Sequence, residues 1–241
     1  MHTASTRFHS EMTFGNQDYS ERLRAAIKSL VEVRQEQGVR ADRHLEALAV
    51  LVRSIFVHEG FAESDVLMKG EGGNLKLPGY FRPTKDWDLL VVENNVLAAA
   101  IEFKSQMGSI SKNVNNRAEE AIGSGTDVWE AHREGLFGLV RPWTGYFLVL
   151  AEEPGIHEPR RTGRPRFPVD ESFRDASYIQ RYEILCKRLV ERRVYDAACL
   201  LVSTDDPDDP IREPSSELDF DHFAAAIRMR AQALAALRSD L

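Results

Sequence analysis

The spacing of apolar residues near the start of the chain predicts two amphipathic helices. Apolar side chains recur at three- and four-residue intervals within residues 18–37, and Gly38 follows as a stop signal. A second stretch of the same kind runs from about Arg40 to Val57 and ends before Gly60.

Beyond residue 60, extended and helical patterns alternate. The stretch "DWDLLVVENNVLAAAIEFKS", residues 86–105, predicts a hairpin of two antiparallel strands. After it come a helix with a glycine break, a strand, a helix, a strand and a final helix, at residues 115–138, 144–153, 177–193, 196–206 and 220–237. This order is typical of an α/β fold with a mixed β-sheet flanked by helices. We predict a polar leader at residues 1–17 and one domain over residues 18–241, whose alanine-rich last helix is a bundle or dimer element.

The hairpin separates its residues by parity, because successive strand side chains point to opposite faces. Odd positions, Trp87 among them, are bulky and apolar, whereas the even positions carry small residues and the charges. A two-residue turn at Asn94–Asn95 would pair residue 88 with residue 101 and mix the two faces. A three-residue loop or a β-bulge pairs 88 with 102, so we predict that register.

In this register Asp88 lies opposite Glu102, with Lys104 one step along the same face. Directly opposed like charges repel, and a divalent cation would compensate them. Two carboxylates and a backbone carbonyl suit Mg²⁺, which acidifies a bound water for attack on a phosphodiester. Asp88 is preferred over Asp86, which is expected on the loop side. The alternative interpretation is a surface hairpin with a simple Glu–Lys ion pair.

Composition narrows the class of protein. A net charge of −7 over 241 residues argues against a generic polyanion binder, but a positive cleft for DNA remains compatible with it. Cys186 and Cys199 are predicted to be buried free thiols, which favours a reducing, cytoplasmic setting. No apolar run is long enough for a membrane helix, and the histidines show no zinc spacing.

The combination of Asp88 with Glu102-Phe103-Lys104 resembles the motif of the PD-(D/E)xK nuclease superfamily, with Trp87 where a proline is usual. The segments "KGEGGNLKLPGYFRPTKDWDLLV", "IEFKSQMGS", "NNRAEEAIG" and "ASYIQRYEILCKRL" are similar to those of the XhoI family of type II restriction endonucleases. The similarity covers about residues 40–190.

This resemblance implies a Mg²⁺-dependent homodimer that cuts both strands of a short palindrome in double-stranded DNA; XhoI reads CTCGAG. It implies that Asp88 and Glu102 bind the metal, that the carbonyl of Phe103 adds a ligand and that Lys104 is catalytic. Glu46 is a further catalytic candidate, with a surface or ion-pair role as the alternative. The host is expected to carry a matching DNA methyltransferase.

Residues with DNA-binding chemistry surround the motif. The candidates are Lys69, Arg82, Lys85, Ser105, Gln106, Asn115, Asn116 and Arg117. A helix N-cap is the alternative for Asn116, and ordinary surface charge is the alternative for each basic residue. For the whole protein, the alternatives are a structure-selective or repair nuclease on the same core, and a DNA-binding module without catalysis.

Overall fold

A six-stranded mixed sheet with helices on both faces forms the framework of the chain. The computed structural model describes residues 16–37, 45–71, 73–206 and 208–238. The helices are α1 (Asn16–Gln37), α2 (Glu46–His58), α3 (Ile110–Arg133), α4 (Tyr178–Glu191) and α5 (Phe220–Arg238). The strands are β1 (Val66–Met68), β2 (Lys76–Pro78), β3 (Thr84–Asp86), β4 (Leu89–Glu93), β5 (Val96–Gln106), β6 (Trp143–Ala151), β7 (Ala197–Ser203) and β8 (Ile211–Arg212). The predicted leader lies outside the described residues except for its last two, which belong to α1.

The large sheet has the strand order β1-β4-β5-β6-β7-β8. Strands β5, β6 and β7 are parallel, and α3 and α4 make the crossovers between them; the other pairings are antiparallel. This arrangement confirms the predicted α/β fold with a mixed sheet flanked by helices. The glycine-rich segment before Asp88 also contains a separate two-stranded hairpin, β2–β3, which the sequence did not predict.

Both faces of the β4–β5 hairpin are buried. Leu89 and Ile101 pack in one core with α1, α2 and α5, while Leu90 and Ala100 pack in a second core with α3 and α4. A surface hairpin is therefore excluded. Trp87 lies in the second core rather than beside Leu89, because β3 ends at residue 86 and β4 starts at residue 89, so strict alternation is interrupted there.

The register of the hairpin confirms the predicted parity. Leu89 pairs with Ile101, so the same register places residue 88 opposite residue 102. A β-bulge shifts the register between Val91 and Val92. The turn itself has only two residues, Asn94 and Asn95, both with positive φ of 50° and 63°. Such a turn matches the twist of two antiparallel strands, and the bulge returns the apolar residues to a common face.

Helix α3 corrects two sequence predictions. It begins at Ile110, so Asn116 lies within the helix and is not its N-cap. It also runs through Gly123 and Gly125 without a break. The tight packing of α3 requires the second glycine, since a Cβ there would lie 2.5 Å from Cγ1 of Val194.

The prediction for the two cysteines is confirmed. Cys186 and Cys199 are free and buried, and burial raises the pKa of the Cys186 thiol to about 12. Among the helices that the structure describes, none has the length and apolar character to cross a membrane.

Candidate active site

Asp88 lies at the interruption between β3 and β4, and backbone contacts on both sides fix it there. Its carbonyl accepts a hydrogen bond from the Lys69 amide (3.1 Å), and the neighbouring Trp87 amide donates to the carbonyl of Leu75 (3.0 Å). The side chain turns toward β5, where Oδ2 accepts from the amide of Phe103 at 2.9 Å. Asp88 is thereby held beside Glu102.

The environment of Asp88 opposes its ionisation. Burial, followed by the negative charge of Glu102, raises the pKa of the Asp88 carboxyl, and the hydrogen bond from Phe103 and the charges of Lys104 and Lys85 only partly offset this. A carboxyl in this state gains from any cation that approaches it.

Glu102 is only 4% exposed and lies between two lysines. Nζ of Lys104 is 2.6 Å from Oε1, and Nζ of Lys85 contacts Oε2. Burial opposes the ionised carboxylate, but the two ammonium groups outweigh it and lower the pKa of Glu102. For Lys104, burial disfavours the charged form, yet Glu102 outweighs it and raises the pKa. The cluster is therefore built to hold Glu102 and Lys104 charged.

Lys85 also belongs to this cluster, which the sequence analysis did not predict. It was expected as a phosphate contact, but its side chain is only 12% exposed, and Nζ lies 4.5 Å from the centre of the Trp87 ring as well as against Glu102. The reason is the β2–β3 hairpin, which brings Lys85 to Glu102 beside the start of β4. Its closeness in sequence to Asp88 was the only signal for this position.

The donor set fits a hard divalent cation. Two carboxylates lie side by side, and the carbonyl of Phe103 points to the same side of β5 as its amide, which faces Asp88. In the described ranges no group of three or more His, Cys, Asp or Glu side chains is placed to hold a metal. Two side-chain ligands and a carbonyl suit Mg²⁺, because this ion keeps several of its waters.

Glu46 does not join this cluster. It is exposed in the first turn of α2 and lines a groove between α1 and α2 with Arg22 and Ser29. Within the described residues it shares no hydrogen bond or ion pair with Asp88 or Glu102.

Besides Lys85, the predicted DNA contacts lie in several different settings. Lys69 is exposed directly after β1, and Asn115 and Asn116 are exposed on α3. Gln106 is buried and accepts from Nε of Arg117 at 3.2 Å, so this pair connects the end of β5 to α3.

The last two candidates differ in their anchoring. Ser105 is partly buried on β5 next to Lys104. Arg82 donates from Nε to Oδ2 of the buried Asp127 at 2.7 Å, a partner on α3 that the sequence did not predict.

Comparison with known proteins shows the family of the chain. A family model described as "Restriction endonuclease XhoI" matches residues 26–210. The chain belongs to the XhoI family of restriction endonucleases. The matched region contains the whole cluster and extends beyond the stretch of about 40–190 on which the sequence resemblance rested, whereas α5 lies outside it.

Three relatives are type II restriction enzymes by name. BstVI of Geobacillus stearothermophilus is 39% identical over 69% of this chain and 76% of its own length. XhoI of Xanthomonas vasicola is 40% identical over 65% of this chain and 63% of its own length. AbrI of Azospirillum brasilense is 40% identical over 65% of this chain and 72% of its own length. No solved structure matches the chain.

Proposed function

We propose that this member of the XhoI family is a Mg²⁺-dependent type II restriction endonuclease that makes double-strand cuts at a short palindromic site. The observation that carries the proposal is the convergence of Asp88, Glu102 and Lys104 where β4 begins beside β5. These are the positions that match the superfamily motif, and they lie within the region that matches the family.

Asp88, Glu102 and the carbonyl of Phe103 would hold the ion. When bound, Mg²⁺ supplies acidification of a water and neutralisation of charge on the scissile phosphate. Lys104 is 27% exposed at the rim of the cluster, so its ammonium can donate to a water or to a phosphate oxygen. Lys85, more deeply placed, holds Glu102 ionised and in position.

Double-stranded DNA is the proposed substrate, and a homodimer is the proposed assembly. A palindrome has a two-fold axis, so two copies of the chain related by the same symmetry would present one active site to each strand. By the same inference the enzyme acts in the cytoplasm beside a methyltransferase that protects the host's own sites. CTCGAG is the site we propose to test first.

A plasmid with one CTCGAG site tests the proposal. Purified protein and Mg²⁺ should give linear DNA with ends that map to that site, and EDTA should abolish the reaction. Discrete cuts at another sequence would support the restriction activity and show that the recognition site is not CTCGAG. Smears or cuts only at branched or damaged DNA would favour a repair nuclease, and a mobility shift without cutting would favour a binding module.

Changing Lys104 to Ala isolates the chemical step. This variant should lose cleavage by at least about 10³-fold, in the range of removing a positioned catalytic group, while binding to the same duplex stays within a few-fold. Full cleavage by Lys104→Ala would refute the assigned site.

A further inference from the structure

The tip of the β2–β3 hairpin presents two adjacent aromatic side chains to solvent. Tyr80 is 52% exposed and Phe81 is 68% exposed, and their ring centroids are 4.8 Å apart in an edge-to-face arrangement. Single exposed apolar residues are common on protein surfaces. A packed aromatic pair at the end of a hairpin is a more specific feature.

A dedicated anchor on α3 holds this tip rigid. The buried carboxylate of Asp127 accepts from the amides of Tyr80 (2.9 Å) and Phe81 (2.8 Å) through Oδ1 and from Arg82 through Oδ2. Gly79 completes the close approach, since a Cβ there would lie 2.6 Å from Asp127 Oδ2 and from the Arg82 carbonyl oxygen. The backbone that carries the two exposed rings is therefore fixed in position.

The tip is directly connected to the active site. Strand β3, which leaves the tip, carries Lys85 to Glu102. Phe81 is four residues before Lys85, so the two residues are at most roughly 13 Å apart, the length of four extended residues at about 3.3 Å each, and the bend at residues 81–83 shortens this. DNA repeats every 3.4 Å along one strand, so the tip lies within about four nucleotides of a phosphate at the active site.

The position of the tip beside the proposed active site identifies the occupant. Strand β3 joins the tip to the cluster that we propose acts on double-stranded DNA, so the substrate of that cluster is the partner that the exposed rings can reach. Aromatic rings suit such a partner, because apolar wedges inserted between base pairs unstack and kink a duplex.

We propose that Phe81, supported by Tyr80 and anchored by Asp127, inserts between two base pairs of the bound duplex near the scissile phosphate. This inference rests on the proposed function and adds a residue that distorts the DNA and contributes to site selection. The ring replaces base–base stacking at one step, and Arg82 beside it meets the adjacent backbone.

Fluorescence of 2-aminopurine tests the insertion. The Lys104→Ala protein is bound in Mg²⁺ to duplexes of the mapped cleavage site that carry 2-aminopurine at successive positions. One position should brighten on binding, and adding Phe81→Ala should remove that signal and weaken the Kd about 10-fold, the effect of losing one stacking contact of about 1.4 kcal/mol. Leu139→Ala, a fully exposed apolar residue outside the hairpin, is the matched control and should change neither quantity.

The outcomes separate the insertion from the nuclease activity. If the wild-type protein cuts the plasmid but no position brightens, or if Phe81→Ala binds within two-fold of its parent, the insertion is wrong and the nuclease activity stands. If the wild-type protein neither binds nor cuts DNA, both proposals fail. If Phe81→Ala converts a DNA-free dimer to a monomer in sedimentation, the tip is an interface between copies and the insertion is overturned.

Discussion

Asp88 and Asp127 are two sheltered aspartates of the same domain whose environments act in opposite directions. Burial would raise the pKa of both. At Asp127 the hydrogen bonds from Arg82 and from two backbone amides outweigh burial and lower the pKa. At Asp88 there is one amide donor, and the negative charge of Glu102 adds to burial, so the pKa is raised.

The difference distinguishes a carboxylate that stabilises the fold from one that we propose binds a metal. Asp127 has its full set of donors within the protein, so it stabilises the loop and needs nothing further. Asp88 lacks such compensation and shares its surroundings with a second carboxylate. A carboxyl group whose ionised form is disfavoured in this way is typical of sites that bind an external ligand, here the proposed Mg²⁺.

The largest expected effect is on cleavage by Asp88→Asn. This change keeps an acceptor for the Phe103 amide but removes the charge proposed to bind the metal, so the initial rate should fall by at least about 10³-fold. The plasmid assay measures it. Asp86→Asn is the matched control, because Asp86 is two residues away and exposed beside Lys76, and it should retain cleavage. Equal loss in both variants would remove the distinction between the two acids.

Lys85→Ala should produce the next largest effect. Its loss leaves Glu102 with one ammonium partner, so we expect kcat to fall about 10- to 100-fold while DNA binding changes little. Lys69→Ala is the contrasting variant. As a proposed phosphate contact it should weaken binding and lower the salt slope by about one ion. If Lys85→Ala instead weakens binding and lowers the salt slope as Lys69→Ala does, Lys85 is a phosphate contact.

Asp127→Asn should have the opposite effect: it should lower the thermal stability substantially and change the cleavage rate little. An amide cannot accept on both sides, and its NH₂ would oppose the Nε–H of Arg82. Losing a charged hydrogen bond costs about 2 kcal/mol, or roughly 4–8 °C in Tm for a chain of this size. Calorimetry measures this loss. Glu119→Gln, an exposed change on the same helix, should leave Tm unchanged.

Parity and charge in the sequence predicted much of this site. The apolar alternation of residues 89–103 sets the register through a bulge, and the register determines that residues 88 and 102 lie opposite each other. The local pattern was sufficient to predict the register because the two strands are adjacent in sequence and one face is bulky and apolar while the other carries the charges.

The sequence did not predict what depends on contacts between distant segments. Lys85 reaches Glu102 only because the short β2–β3 hairpin folds back, and Asp127 meets its donors across 45 residues or more. The predicted break in α3 was wrong for a similar reason. Gly125 serves close packing against Val194, which helical propensity alone does not encode.

The smallest effect, and the one that separates the two aspartates most sharply, is the stability of Asp88→Asn as a function of pH. Because the folded pKa of Asp88 is raised from its ordinary value of 3.8, the cost of ionising it is absent below that value and complete above the folded pKa. The variant has no such cost. Its Tm should match the wild type near pH 3 and exceed it at neutral pH by about 2–4 °C, for a gain on the order of 1 kcal/mol. Mg²⁺ should then raise the Tm of the wild type and leave the variant unchanged, because only the wild type binds the ion in its folded state. An advantage of the variant that shrinks as pH rises would show that Asp88 is stabilised in its charged form, like Asp127, and would end the contrast between them.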